Sequence, residues 1–215
     1  MTHIGILGAG NIGSNVARAA VAAGHTVTIS NSRGPESLAD LIAELGPGAA
    51  AGTTHEAATA GELVLVAIPL GRIGEIDDAP LEGKIVMDAN NYYPQRDGRI
   101  AALDRNESTT SELLQARHPG AHVVKTFNNI VAAEIPTDGT PPGTLVRRAL
   151  PIAGNDADAK VAVTDFLDSL GYDAVDMGPL SESWRSERDT SAYGVRTNAD
   201  ELRELLATTA RTVQE

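Results

Sequence analysis

The sequence predicts an α/β protein: a doubly wound, mainly parallel sheet with a small C-terminal helical extension. Three observations carry this. Strand-like and helix-like segments alternate along all 215 residues. Several of the strand-like runs, such as ELVLVAIP (residues 62–69), are continuously apolar, as strands buried on both faces are. A glycine-rich turn, GAGNIG (residues 8–13), joins the first run to the first helix-like segment. Strands separated by helices imply βαβ units with right-handed crossovers and helices on both faces.

The elements follow in order. HIGILG (residues 3–8) is a short apolar strand, and the alanine-rich residues 11–24 form a helix ending at Gly24. HTVTIS (25–30) alternates β-branched residues as a strand does. A helix over residues 34–46 has Pro35 near its start and Gly46 as its stop. In ELVLVAIP, Pro69 cannot continue a central ladder. KIVMDA (84–89) and HVVKTF (122–127) are further apolar strands, and ALPIAG (149–154) is another. In the helix over residues 155–171, Val163, Phe166, Leu167 and Leu170 recur at helical spacing. DAVDMG (173–178) is the last strand. A final helix over residues 198–214 opens with Asn198 and Glu201 spaced as a capping box. The least regular stretches are residues 89–107, 136–147 and 178–197. Such loops at strand C-termini are where ligands sit in open α/β sheets.

Composition narrows the function. Hydrophobic residues make up 42% of the chain and aromatics only 3%, so the core is aliphatic. A formal charge of −12 argues against sequence-independent nucleic-acid binding, which needs clustered Lys and Arg. No run of eighteen apolar residues and no basic-then-apolar leader occurs, so a cytoplasmic protein with no membrane partner is expected. The chain contains no cysteine, which excludes disulfides, thiolate metal sites and cysteine nucleophiles. Its histidines show no metal-ligand spacing, and no nucleophile elbow, zincin motif or phosphate-binding lysine is present. No catalytic residue and no metal site is predicted.

The turn at residues 8–13 carries the chemistry. Gly8, Gly10 and Gly13 fit G-x-G-x-x-G in the required context, with a strand running in and a helix leaving through Asn11 and Ile12. Gly8 allows the tight turn, Gly10 lets the backbone approach a dinucleotide pyrophosphate, and Gly13 lets the helix pack on the strand. The helix N-terminus adds N–H donors and positive potential. Where an NAD-binding chain would place an acid after the second strand, this one reads Ser30, Asn31, Ser32 and Arg33. Hydroxyls and a guanidinium suit a 2′-phosphate, so NADP(H) is the expected cofactor. The segment 1–178 is therefore expected to be an NADP-binding Rossmann domain, with residues 179–215 as a loop-and-helix extension.

Further along, Ile68 and Pro69 offer an apolar wall or a simple strand end. Asp88 reads as structural. Asn90, Asn91 and Tyr92 offer hydrogen bonds to a carboxamide or substrate. Lys125 lies inside an apolar run, which is costly unless it is paired or reaches the surface. Thr126, Phe127, Asn128 and Asn129 follow it, an apolar face among amides that suits a planar ring. Trp184, Arg185, Arg188 and Tyr193 form either a cover over a second substrate or a subunit contact.

The segments GILGAGNIG, SNSRGPESL, AIPL, DANNYYPQRDG, VKTFNNI and MGPL, in this order and spacing, resemble the NADPH-dependent coenzyme F420 reductase family. The cytoplasmic reductase domain of the STEAP metalloreductases is similar. The resemblance implies a dimeric Rossmann protein in which hydride passes directly between the rings of NADP(H) and a deazaflavin (coenzyme F420) or flavin. It implies pyrophosphate binding by Ala9 to Ile12 and 2′-phosphate binding by Ser32 and Arg33. Ile68 to Leu70, with Asn128 and Asn129, would line the nicotinamide and acceptor pocket. Two alternatives stay open: a non-catalytic NADP-binding regulatory protein, and an NADPH-dependent reductase of a small carbonyl or imine.

Overall fold

The computed structural model describes residues 1–211. Eight strands form one sheet: β1 (His3–Leu7), β2 (Thr26–Ser30), β3 (Ala49–Ala51), β4 (Leu63–Val66), β5 (Ile85–Asp88), β6 (His122–Lys125), β7 (Ala149–Gly154) and β8 (Asp173–Asp176). Their spatial order is β3-β2-β1-β4-β5-β6-β7-β8. Strands β1 to β6 are mutually parallel, β7 runs antiparallel to β6, and β8 is parallel to β7.

The order reverses at β1, whose neighbours are β2 on one side and β4 on the other. A ligand crevice is expected at this switch point, outside the strand C-termini. Register aligns those ends: Leu7 pairs with Ser30 and with Val66, Val66 with Asp88, and Asp88 with Lys125. The segments after residues 7, 30, 66, 88 and 125 thus emerge along one edge.

Both faces of the sheet are buried, and the strands divide their side chains between them. Ile4, Ile6, Leu63, Leu65, Met87 and Val124 belong to one core. Leu7, Val64, Val66, Val86 and Val123 belong to the other. The first core is covered by helices α1 (Asn11–Ala22), α2 (Ala39–Leu45) and α7 (Ala157–Ser169). The second is covered by α3 (Thr54–Ala60) and α6 (Thr110–Arg117). Between them lie the short α4 (Pro94–Asp97) and α5 (Ala101–Asp104), and α8 (Ala199–Thr208) closes the described chain. Helix α3 approaches β1 so closely that a Cβ on Gly5 would lie 2.1 Å from the carbonyl oxygen of Ala57. Glycine there is a packing requirement. No helix among the described residues is long and apolar enough to cross a membrane.

Several expectations need correcting. Strand β3 and helices α3 and α6 were not foreseen, and residues 89–107 include α4 and α5 instead of being irregular throughout. The last helix ends at Thr208, and residues 212–214 of the expected helix lie outside the described residues. Asn198 does cap α8, its side-chain oxygen accepting from the N–H groups of Asp200 and Glu201 at 3.0 Å each. Glu201 does not complete the box, because its carboxylate accepts the Thr197 hydroxyl. Helix α8 packs on β7 and β8 through Leu202 and Leu206, with Ala149, Val175 and Ala192.

Candidate cofactor and substrate site

The glycine turn stands between β1 and α1, and each glycine has a different physical reason. Gly8 has φ +114°, and its N–H donates to the Ser30 carbonyl at 3.0 Å. A Cβ on Gly13 would lie 1.8 Å from the Gly8 carbonyl oxygen, so helix and turn pack backbone to backbone. Around Gly10 a Cβ would meet nothing within 4 Å. Protein packing therefore does not require that glycine, whereas close approach of a ligand would. Helix α1 starts with no side-chain cap and no acidic residue in its first turn. The leading amides of a helix have no intrahelical acceptor and carry positive potential. Such an end suits a pyrophosphate.

On the β2 side of this turn lies a cavity of about 390 Å³, bounded by Gly8 to Gly10, Ser30 to Arg33, Ile68 and Pro69. Asn31 is spent on building its rim: its side-chain oxygen accepts from the Arg33 N–H at 2.9 Å, and its amide donates to Ser37 at 2.9 Å. Ser32 and Arg33 are exposed. Among the described residues every other arginine pairs with a carboxylate or, for Arg211, with backbone carbonyls. Arg33 has no such partner. In a chain of formal charge −12, that leaves one guanidinium available to an anion beside the cradle. Arg72, on the opposite wall, is engaged by Glu75 at 2.5 Å.

The second cavity, of about 650 Å³, continues past Gly10, Ala67, Ile68 and Pro69. Asn11, Ile12, Asn90, Asn128, Tyr93 and Tyr193 also bound it. Of Thr126, Phe127, Asn128 and Asn129, expected to suit a planar ring, only Asn128 bounds this cavity. Phe127 does not face this cavity: with φ +56° it turns into the core, 6.3 Å edge-to-face from Phe166. Leu70 is buried against Tyr92 and Leu103 and bounds neither cavity. Asn129 likewise points away, its amide donating to the Ala192 carbonyl at 3.5 Å. Gly13 lies beneath the turn. Tyr92 is buried and its hydroxyl donates to Asp104 at 2.8 Å.

Asn90 is only 3% exposed, and neither its side-chain nitrogen nor its oxygen has a partner among the described residues. Such a group costs about 1–3 kcal/mol when left unsatisfied. Its amide thus matches a ligand offering both a donor and an acceptor. Asn128 is already held, donating to the Ser186 carbonyl at 2.8 Å and accepting from the Ser186 hydroxyl at 3.2 Å.

Lys125 explains why the Asn90 loop holds its shape. Its ammonium is fully buried and donates to Asp88 at 3.3 Å, the Asn90 carbonyl at 2.5 Å and the Thr110 hydroxyl at 2.6 Å. Asp88 in turn accepts from the Ser111 hydroxyl at 2.7 Å and the Asn90 N–H at 2.9 Å. Its reading as a structural acid agrees with this network. Sequence reasoning offered Tyr193 as part of either a cover over a second substrate or a subunit contact, and it bounds the second cavity. Its hydroxyl lies 2.8 Å from that of Tyr93, a hundred residues earlier, and no local pattern signals such a pairing. No cluster of three or more metal-ligating side chains occurs among the described residues.

Fold, cradle and twin cavities define a dinucleotide-binding α/β protein of the Rossmann type. Residues 3–92 match the family described as NADP oxidoreductase, coenzyme F420-dependent. Over these residues the chain carries this family's NADP oxidoreductase domain. It is similar to the hypothetical protein SMa0349 of Sinorhizobium meliloti, at 31% identity and TM-score 0.79, over 91% of this chain and 95% of that one. A candidate F420-dependent NADP reductase of Arthrobacter sp. FB24 is 29% identical with TM-score 0.73, over 85% and 87% of the two chains. Metalloreductase STEAP3 of Rattus norvegicus is 29% identical over 198 residues, 90% of this chain. The chain spans only 36% of that relative's length.

Proposed function

We propose that the protein transfers hydride from NADPH to a planar heteroaromatic acceptor, a deazaflavin of the coenzyme F420 type or a flavin. The observation that carries this reading is the continuity of the two cavities across Gly10, Ile68 and Pro69. One cavity offers a phosphate-matched end at Ser32 and Arg33, and the other is roomy, bounded by apolar side chains and amides. The first turn of α1 holds the pyrophosphate, and Arg33 with Ser32 holds the 2′-phosphate. Bound NADPH supplies the hydride. Ile68 and Pro69 keep water from the reacting rings, and Asn90 fixes a ring or carboxamide edge through its unpartnered amide. Proximity and orientation contribute most of the rate in such a transfer.

The test is to mix purified protein with NADPH and coenzyme F420 under anaerobic conditions and follow the deazaflavin absorbance, with flavin mononucleotide in parallel. NADPH-dependent bleaching of F420 supports the deazaflavin reading, and bleaching of the flavin alone moves the acceptor to that class. Tight NADPH binding without bleaching of either would overturn the proposal in favour of a cofactor-binding regulatory protein.

A further inference from the structure

Reduction of a heteroaromatic acceptor needs more than a hydride. A double bond of the acceptor opens, its electron pair moves onto a ring nitrogen or carbonyl oxygen, and that atom takes up one proton. Nothing assigned so far supplies it, and the second cavity contains no acid of the usual kind. The polar hydrogens that face it belong to amides, to Arg96, and to two phenols.

Those phenols are Tyr93, on the loop after β5, and Tyr193, from the C-terminal extension. Their oxygens are 2.8 Å apart. Two hydroxyls in mutual contact hold two hydrogens but use only one between them. The hydroxyl that accepts therefore keeps its own hydrogen for another acceptor. No other described side chain or carbonyl takes a hydrogen bond from either phenol. Burial pushes the Tyr193 hydroxyl well above the ordinary tyrosine range, and its hydrogen bond to Tyr93 adds to the rise. Either oxygen can donate across this contact, and with Tyr193 as the donor the Tyr93 hydrogen is free. The guanidinium of Arg96 lies 4.7 Å from the Tyr93 ring centroid and that of Arg188 lies 5.4 Å from it. Both guanidiniums, each paired with a neighbouring carboxylate, place positive charge against that ring.

We propose that Tyr93 is the proton donor of the reduction, with Tyr193 as the positioning residue that donates to its oxygen as charge develops there. In this step the Tyr93 O–H bond breaks, a new N–H or O–H bond forms on the acceptor, and Tyr93 is left as a phenolate. Tyr193 holds that phenolate by its hydrogen bond until a proton from solvent restores it. Hydride and proton together account for the two electrons and two hydrogens gained by the acceptor, and NADP⁺ is the other product. The inference rests on the proposed reductase function and adds to it the source of the proton.

The experiment compares wild type with Tyr93→Phe and Tyr193→Phe, which keep the rings and remove one oxygen each. Single-turnover reduction of coenzyme F420 and of flavin mononucleotide by NADPH is measured in H2O and D2O. Tyr93→Phe is expected to slow reduction by about 10²- to 10⁴-fold, the usual worth of a positioned general acid. It is also expected to abolish the solvent isotope effect seen in wild type. Tyr193→Phe is expected to slow it by about 10- to 100-fold, as for a hydrogen bond to a charged group. A second readout needs no turnover: oxidised F420 or flavin mononucleotide binds Tyr93→Phe about 2- to 10-fold more weakly, by fluorescence titration, through loss of one neutral hydrogen bond. NADPH affinity stays unchanged in both variants. Reduction by Tyr93→Phe at the wild-type rate, with the isotope effect intact, overturns the proton-donor role and leaves the reductase reading standing. Wild type that reduces neither acceptor overturns both.

Discussion

Asp88 and Lys125 face each other at 3.3 Å from adjacent strands, and neither side chain reaches solvent. The pair sits directly behind the loop that carries Asn90, so one buried charge pair shapes a wall of the second cavity. Desolvation makes such a pair a poor source of net stability, but removing one member leaves an uncompensated buried charge. Lys125→Met is therefore expected to destabilise the fold by about 3–5 kcal/mol in urea denaturation. Combining it with Asp88→Asn is expected to recover part of that loss. A single variant as stable as wild type would show that the pair does not hold the loop.

On the proposed function, Arg33 is the residue expected to separate recognition of NADPH from that of NADH. Replacing it with Ala is expected to weaken NADPH binding by about 10- to 100-fold, through loss of charge-assisted hydrogen bonds to the 2′-phosphate. NADH binding should stay as it was. Parallel loss for both cofactors, read by nucleotide fluorescence, would place Arg33 at the pyrophosphate or in the loop's own structure instead.

Gly10 and Gly13 make opposite demands and allow a clean comparison. Gly10→Ala meets no protein atom within 4 Å and sits at φ −79°, so the melting temperature is expected to hold or rise. NADPH binding is expected to fall sharply, because the added methyl occupies the pyrophosphate approach. Gly13→Ala drives a Cβ to 1.8 Å from the Gly8 carbonyl, so here the melting temperature itself should drop. Equal effects of both variants on stability would contradict this division of roles.

Two buried histidines set a pH window for stability. Burial is the largest cause of the lowered values of His25 and His118, relative to 6.5 for an ordinary histidine. A histidine lowered in the folded state binds protons more readily when unfolded, so its contribution is present above 6.5 and is lost as pH falls below it. The melting temperature is expected to decline as pH is lowered through this range, and His25→Gln should flatten the slope. His25 bonds the Thr2 N–H at 3.1 Å and Ser169 at 2.8 Å, so the variant must be compared by slope and not by absolute stability. An unchanged slope would assign the acid sensitivity to other groups.

Much of the fold was legible because its strands are short and apolar and its first turn is glycine-rich. The parallel sheet, the cradle and the polar rim at Ser32 and Arg33 all follow from local pattern. Helices α3 and α6 were also written in the chain, since Thr53–Glu56 and Thr109–Glu112 are both capping boxes in the structure. Their short apolar faces hid them: α3 buries only Ala57 and Ala58, and α6 buries Leu114 with two polar residues. Phe127 could not be read correctly, because its positive φ turns the ring from the edge into the core. The partners of Lys125 and of Tyr193 depend on contacts across 37 and 100 residues, which no local spacing encodes.

The meeting of Tyr93 and Tyr193 also bears on how such a protein can be altered. The nucleotide-side cavity is bounded by residues up to Ile76, whereas the second cavity also takes Tyr193 from the segment after β8. That segment is anchored to β7 and β8 by Leu202 and Leu206, on the far side of the sheet order from β1 and β2. On the proposed function, exchange of the C-terminal segment between homologues is expected to retune acceptor choice and leave the coenzyme preference unchanged. Libraries confined to residues 179–211 are, on the same proposed function, expected to alter acceptor choice at Tyr193 while leaving the residues that bound the nucleotide-side cavity untouched.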